Sequence, residues 1–155
     1  MRLSNPTYES VYDRISVVSF TGTRRGLTPI QRKSLRWVLK KLQAATLVHG
    51  DCLGADEEAG EVADSLGMKV HKRPSTSKTR AFSKIGTLVA EPKPPLDRNP
   101  DIVDDGDCVV ACPGGMGEEL RSGTWAAVRY ARKQDCLIWI VWPDGSLTSP
   151  LEPSP

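Results

Sequence analysis

Cys108-Val109-Val110-Ala111-Cys112-Pro113-Gly114-Gly115-Met116-Gly117-Glu118-Glu119-Leu120-Arg121-Ser122-Gly123-Thr124 contains the change of pattern that decides the fold class. An unbroken apolar run, Cys108 to Cys112, gives way to a glycine-rich turn and then to a helical pattern over roughly 122–133. Strand, glycine turn and helix N-terminus in this order are a common way to hold phosphate. The first N–H groups of a helix lack internal partners, and the helix dipole favours an anion beside them. Glycines at 114, 115 and 117 let the backbone approach a ligand closely. The segment therefore predicts a nucleotide or sugar-phosphate site, with Pro113, Gly114, Gly115, Met116, Gly117, Ser122 and Thr124 as candidate binding residues.

Upstream, the same alternation recurs. Ile15 to Phe20 reads as a buried strand, and a polar loop, Thr21-Gly22-Thr23-Arg24-Arg25-Gly26-Leu27, follows it. Thr28-Pro29 is a helix start, with Thr at the N-cap and Pro at the first helical position. Leu35, Val38, Leu39 and Leu42 then mark one helical face. A second strand at 45–48 runs into His49-Gly50-Asp51-Cys52-Leu53-Gly54-Ala55-Asp56, and a helix is expected over 55–66. Met68 to His71 forms a third strand. Between Pro74 and Pro100 the pattern is weak and rich in Ser, Thr, Lys and Pro, and a long loop is expected there. A short helix around 101–104 precedes the run at 108–112, and a last strand covers 136–141.

Apolar strands alternating with helices predict an α/β, Rossmann-like parallel sheet of about five or more strands, covered by helices on both faces. The expected division is a flexible arm over 1–13, one domain over 14–145 and a Pro/Ser-rich tail over 146–155. Ligands in such sheets bind beyond the carboxyl ends of the strands. Three glycine-bearing loops qualify: 21–27, 49–56 and 113–124.

At 155 residues the chain suits one domain with its own core. A net charge of +2 is too small to argue for nucleic acid. No apolar run is long enough to span a membrane and no secretory signal is evident, so a cytoplasmic protein without membrane contact is expected. The four cysteines, Cys52, Cys108, Cys112 and Cys136, show no CxxC spacing, and His49 and His71 are the only histidines. Reduced, buried thiols are the plain reading, and neither metal nor cofactor is expected.

Each loop offers distinct chemistry. Thr21, Gly22, Thr23, Arg24 and its neighbour Arg25 supply hydroxyl, backbone and guanidinium donors for phosphate. Gly50, Asp51, Gly54 and Asp56 form the second candidate group. Either Asp51 or Asp56 could accept hydrogen bonds from a ribose or a base amine, and Asp56 could equally serve the dipole of its own helix. In the third loop, Glu118 and Glu119 either serve that dipole or act at an anomeric carbon.

Taken together, the carriers Phe20-Thr21-Gly22-Thr23-Arg24, His49 to Asp56, Arg98-Asn99 and Pro113-Gly114-Gly115-Met116-Gly117 resemble the SLOG superfamily of Rossmann-like proteins, over about residues 15–143. That group includes cytokinin-activating phosphoribohydrolases, the fold of DNA processing protein A, molybdenum-cofactor carriers and sensor domains for NAD-derived signals. The phosphoribohydrolases carry an arginine upstream of the last long strand and a PGGxGTxxE motif. Arg98 matches that arginine, and Pro113, Gly114, Gly115 and Gly117 match the motif. Glu118 stands where the family has Thr, and Arg121 where it has the catalytic Glu.

The resemblance implies a nucleotide or nucleotide-derived ligand, of NAD or ADP-ribose type, held by a sensor, carrier or sink. Homo-oligomers are also implied. The alternative is hydrolysis of the N-glycosidic bond of a nucleoside monophosphate, with Arg98 and either Glu118 or Glu119 as catalytic residues. A third reading is single-stranded DNA binding through Lys78, Arg80, Lys84 and Lys93. The absence of interleaved aromatics argues against nucleic acid.

Overall fold

In the computed structural model, residues 15–150 are described. The expected arm and the end of the tail lie outside them. The elements are β1 (Val17–Gly22), α1 (Pro29–Leu42), β2 (Thr46–His49), α2 (Ala55–Ser65), β3 (Lys69–Lys72), β4 (Leu88–Val89), α3 (Pro95–Asp105), β5 (Cys108–Cys112), α4 (Gly123–Lys133), β6 (Leu137–Val141) and β7 (Leu147–Thr148).

The strands form one sheet in the order β4-β3-β2-β1-β5-β6-β7. Every pairing is parallel except that of β6 with β7. From β1 the chain winds outward through β2 and β3 to β4. It then crosses back to β5 on the other side of β1. The strand order thus reverses between β1 and β5, and a crevice is expected beyond their carboxyl ends.

Both faces of the sheet are covered, which explains the unbroken apolar runs. In β5, Cys108, Val110 and Cys112 pack with Phe20, Leu35, Leu39 and Ala59 on the α1–α2 side. Val109 packs with Val103, Ala127 and Ala131, and Ala111 with Trp125 and Val128, on the α3–α4 side. A period of two thus serves two cores. The helix start read at Thr28-Pro29 is a full capping box. Thr28 Oγ1 accepts from Gln31 N at 3.0 Å, and Gln31 Oε1 accepts from Thr28 N at 3.2 Å.

Two stretches differ from expectation. The helix read at 101–104 begins at Pro95, so α3 takes in the end of the weak segment. Pro95 is tolerated in the first turn, where its missing N–H is not needed. Pro100, inside the helix, cannot donate to the carbonyl four residues back, that of Leu96, a residue exposed to solvent. The rest of 74–94 is tied to the body by β4 and by a bridge from Cys52 to Arg80, and is closed on itself by a bridge from Ser75 to Lys93. Within the expected tail, Leu147–Thr148 pairs with β6 after a turn at Gly145, whose φ is 85°.

Candidate functional site

The three loops meet over the carboxyl ends of β1, β2 and β5 and enclose a cleft of about 450 Å³. Its floor is the end of β1 and the loop after it, from Phe20 to Arg25. The β5 side carries Gly114, Glu119, Arg121, Ser122, Gly123, Thr124 and Trp125. The β2 side carries Gly50, Cys52 and Asp56, with Ser77 and Thr79 from the segment after β3. Pro95, Arg98, Asn99 and Ile102 of α3 complete the wall.

Local rules build the β5 side. Ser122 is the N-cap of α4, and its hydroxyl oxygen accepts from Trp125 N at 3.3 Å. Ala126 N donates to the Ser122 carbonyl. The next donors, Gly123 N and Thr124 N, have no partner among the described residues, and both residues line the cleft. The Thr21 and Thr124 hydroxyls are likewise unengaged among these residues. Trp125 lies near Trp142, with ring centroids 5.8 Å apart, and is 3% exposed, which makes it a support for α4.

Gln31 holds this side from below. Its amide, 1% exposed, donates to the Pro113 carbonyl at 3.0 Å and to the Val141 carbonyl at 2.8 Å. One side chain thereby joins the start of α1 to the ends of β5 and β6. Its place three residues after Thr28 fits the capping box, but nothing in the sequence signals its reach to β5 and β6.

The β2 side is a buried polar cluster. Asp56 Oδ2 accepts from Gly50 N and Cys52 N, both at 3.1 Å. Arg98 donates from Nη1 to the Gly50 carbonyl at 2.7 Å and to the Arg73 carbonyl at 3.2 Å, and from Nε to Asn99 Oδ1 at 3.0 Å. Glycine at 50 lets the guanidinium come this close, because a Cβ there would overlap Arg98 Nη1 and displace it. Burial raises the Asp56 carboxyl to about 6, against the lowering effect of the Cys52 N–H and Arg98. Burial also lowers His49 to about 4, so the ring is neutral. Its Nδ1 accepts from Asp51 N at 2.8 Å, and it lies beneath the loop as a structural group. The Cys52 thiol is pushed up by burial and by Asp56 and stays protonated at neutral pH.

Of the residues expected from sequence, Thr21, Gly22, Thr23, Arg24, Gly50, Asp56, Arg98, Gly114, Glu119, Ser122 and Thr124 line the cleft. Asp51, Gly54, Pro113, Gly115, Met116, Gly117 and Glu118 do not. Asp51 is fully buried, accepts from Ser83 N at 3.0 Å and pairs with Arg80. Gly54 sits at φ 91° against the Arg24 carbonyl and seats α2 under the first loop. The Pro113 carbonyl is engaged by Gln31. Gly115, Met116 and Gly117 arch outward, and Met116 is 58% exposed. Glu118 is drawn away by Arg129 at 3.2 Å and Arg132 at 2.7 Å, which hold its carboxyl below the usual range.

Ser77, Thr79 and Ile102, which carry no motif, and Arg121 also line the cleft and were not expected there, whereas Arg25 joins Arg24 as the first loop suggested. Of the basic residues considered for DNA, Arg80 is paired with Asp51 and Lys93 with Asp101. Among the described residues no cluster of metal-ligating groups occurs, and no helix is long and apolar enough to cross a membrane.

No protein-family model and no curated protein matches the sequence. Solved structures do match in shape. A molybdenum cofactor binding protein of the phototrophic bacterium Rippkaea orientalis superposes with a TM-score of 0.64 at 20% identity, over 83% of this chain and 77% of that one. DNA processing protein A of Helicobacter pylori, solved for its single-stranded DNA binding mode, superposes with a TM-score of 0.61 at 22% identity. That match covers 84% of this chain and 66% of the other, just under two thirds of its length. At these identities the likeness concerns the fold: the chain has the SLOG-type Rossmann-like fold that these two proteins share.

Proposed function

We propose that the cleft binds a nucleotide or nucleotide-derived ligand and that the protein acts as its sensor, carrier or sink. The observation that carries this reading is the set of unengaged donors on the β5 side. Gly123 N, Thr124 N and the Thr21 and Thr124 hydroxyls surround a helix N-terminus at the topological switch point. The charge balance agrees. Arg24, Arg25, Arg98 and Arg121 line the cleft against Asp56 and Glu119, four cations to two acids. The phosphate would sit at the start of α4, with Arg24 and Arg121 closing over it. A cofactor-binding protein among the structures of like fold supports a small-molecule ligand.

Titration calorimetry with AMP and ADP-ribose tests this reading. Binding of one of them is expected, weakened about tenfold by Arg121→Ala, which removes a charge-assisted hydrogen bond. No heat with any phosphorylated nucleoside would overturn it.

One observation favours a second reading, cleavage of a nucleoside monophosphate to base and ribose 5-phosphate. Glu119 lines the cleft and forms no ion pair among the described residues, whereas Glu118 is held at the surface. Glu119 is therefore the carboxylate that would act at the anomeric carbon. Release of free base from AMP, lost in Glu119→Gln, would establish this activity.

A further inference from the structure

The two walls of the cleft differ in chemistry. The β5 wall offers donors and cations alone, apart from Glu119. The β2 wall holds a buried acid and a buried base side by side, Asp56 and Arg98, which are 5% and 6% exposed. Both side chains grip the same residue: Asp56 accepts from the N–H of Gly50, and Arg98 donates to its carbonyl. Yet they form no ion pair with each other, and Arg98 meets no carboxylate among the described residues. A buried guanidinium held by neutral carbonyls and a buried carboxylate without a cation at contact distance are both costly arrangements.

Each also keeps unused hydrogen-bonding capacity, and both residues line the cleft. Both internal bonds of Asp56 go to Oδ2, so Oδ1 has no partner among the described residues. Among the described residues Arg98 Nη2 meets only the weak acceptor Cys52 Sγ, at 3.7 Å. The wall therefore presents one fixed acceptor beside one fixed donor. The Ser77 and Thr79 hydroxyls, 3.0 Å from each other, lie close by.

A phosphate does not suit this wall, because Asp56 would repel it. A planar base gains little there, since no aromatic ring stands among Gly50, Cys52, Asp56, Ser77, Thr79 and Arg98. Vicinal hydroxyls fit both atoms, one donating to Asp56 Oδ1 and its neighbour accepting from Arg98 Nη2. In a ribose 5-phosphate unit the phosphate and the vicinal diol project from opposite ends of the ring. The cleft likewise sets its anion site and this donor–acceptor pair on opposite sides of β1.

We propose that Asp56 and Arg98 form a ribose-diol subsite that makes the protein selective for ribonucleotides over deoxyribonucleotides. This rests on the nucleotide reading above and adds the sugar class. It also gives the cleft a means of rejecting DNA.

The test is calorimetry on the full chain with AMP, its 2′-deoxy and 3′-deoxy forms, and inosine monophosphate, which lacks the adenine amino group. For the wild type, loss of either hydroxyl is expected to weaken binding about tenfold or more, because the lost bond is to a charged group. AMP and inosine monophosphate should bind alike. Asp56→Asn can keep an oxygen on Gly50 N and Cys52 N while presenting an NH₂ group to the cleft. It should lose the preference for AMP over whichever deoxy form lacks the hydroxyl that donates to Asp56, and, with one carboxylate fewer in the cleft, bind that form at least as tightly as the wild type does. Binding of that deoxy form by the variant also reports an intact fold. Equal wild-type binding of ribo and deoxy forms would overturn the diol subsite and leave the nucleotide reading standing. A preference for AMP over inosine monophosphate without a sugar preference would assign Asp56 to the base. Failure of every compound to bind would remove both readings.

Discussion

The loops at 49–56 and 113–122 are alike in sequence terms and opposite in construction. Both follow a strand of the same sheet, both are glycine-bearing, and both reach the same cleft. The first is an interlocked buried structure. Asp56 caps two of its N–H groups, His49 caps a third, and Asp51 ties it to the segment after β3 through Ser83 and Arg80. Its glycines sit in crowded places, since a Cβ on Gly54 would collide with the Arg24 backbone and one on Gly50 would displace the Arg98 guanidinium. The second is an open arch anchored near its ends, by Gln31 below Pro113 and by Arg129 on the Glu119 and Leu120 carbonyls. A Cβ on Gly117 or Gly123 would meet nothing. Glycine thus answers crowding in the first loop, and at Gly114 against Thr23 where the second begins, but leaves conformational freedom farther along the arch.

Glycine substitutions should separate the loops most widely. Gly54→Ala places a Cβ against backbone at a φ of 91° and is expected to cost about 3 kcal/mol, whereas Gly117→Ala should stay within about 0.5 kcal/mol. Urea unfolding of both variants measures the difference. Similar costs would show that the arch is as tightly built as the buried loop.

A smaller effect separates the titratable groups within the buried loop. His49, lowered by burial from 6.5 to about 4, binds a proton more readily when unfolded, so its contribution to stability declines as pH falls from 6.5 toward 4. Asp56, raised from 3.8 to about 6, binds a proton more readily when folded, so its contribution grows as pH falls through that window. The two oppose each other. Asp56→Asn leaves His49 unopposed, and relative to the wild type it should lose about 1 kcal/mol between about pH 7 and about pH 5. Unfolding free energies of both proteins at the two pH values check the sign.

The least effect is expected on the arch. Glu119→Gln removes a negative charge from the cleft and should tighten an anionic nucleotide by up to about fivefold. Glu118→Gln should leave affinity unchanged, because Arg129 and Arg132 hold that side chain at the surface. An equal response from the two glutamates, read by calorimetry, would mean that the arch closes onto the ligand and brings Glu118 with it.

Much of this was legible in the sequence because it is local. The helix start at Thr28-Pro29, the helix beginning near Ser122 and the apolar strands depend on residues a few positions apart. Elsewhere local rules were insufficient. Prolines at 95 and 100 obscured a helix that packing against the sheet supports. The pair at 147–148 becomes a strand only because β6 offers an edge. Asp51 and Asp56, five positions apart in one loop, read as equivalent acids. Burial and distant partners, Arg80 and Ser83 for one and the cleft for the other, gave them different roles.

By itself the sequence determined the α/β class, the strand-to-loop rhythm and the three loops that form the rim. These follow from hydrophobic periodicity, capping and glycine, which act over a turn or two of chain. The tertiary structure alone decided that Arg98 is buried against Gly50 without a carboxylate, that Asp56 keeps one oxygen free, and that Glu118 leaves the site while Glu119 stays. Each of those outcomes depends on a guanidinium, carbonyl or carboxylate brought from another strand or helix. Such groups set hydrogen bonding and solvation, the terms that turn a glycine-rich loop into a chemically selective site.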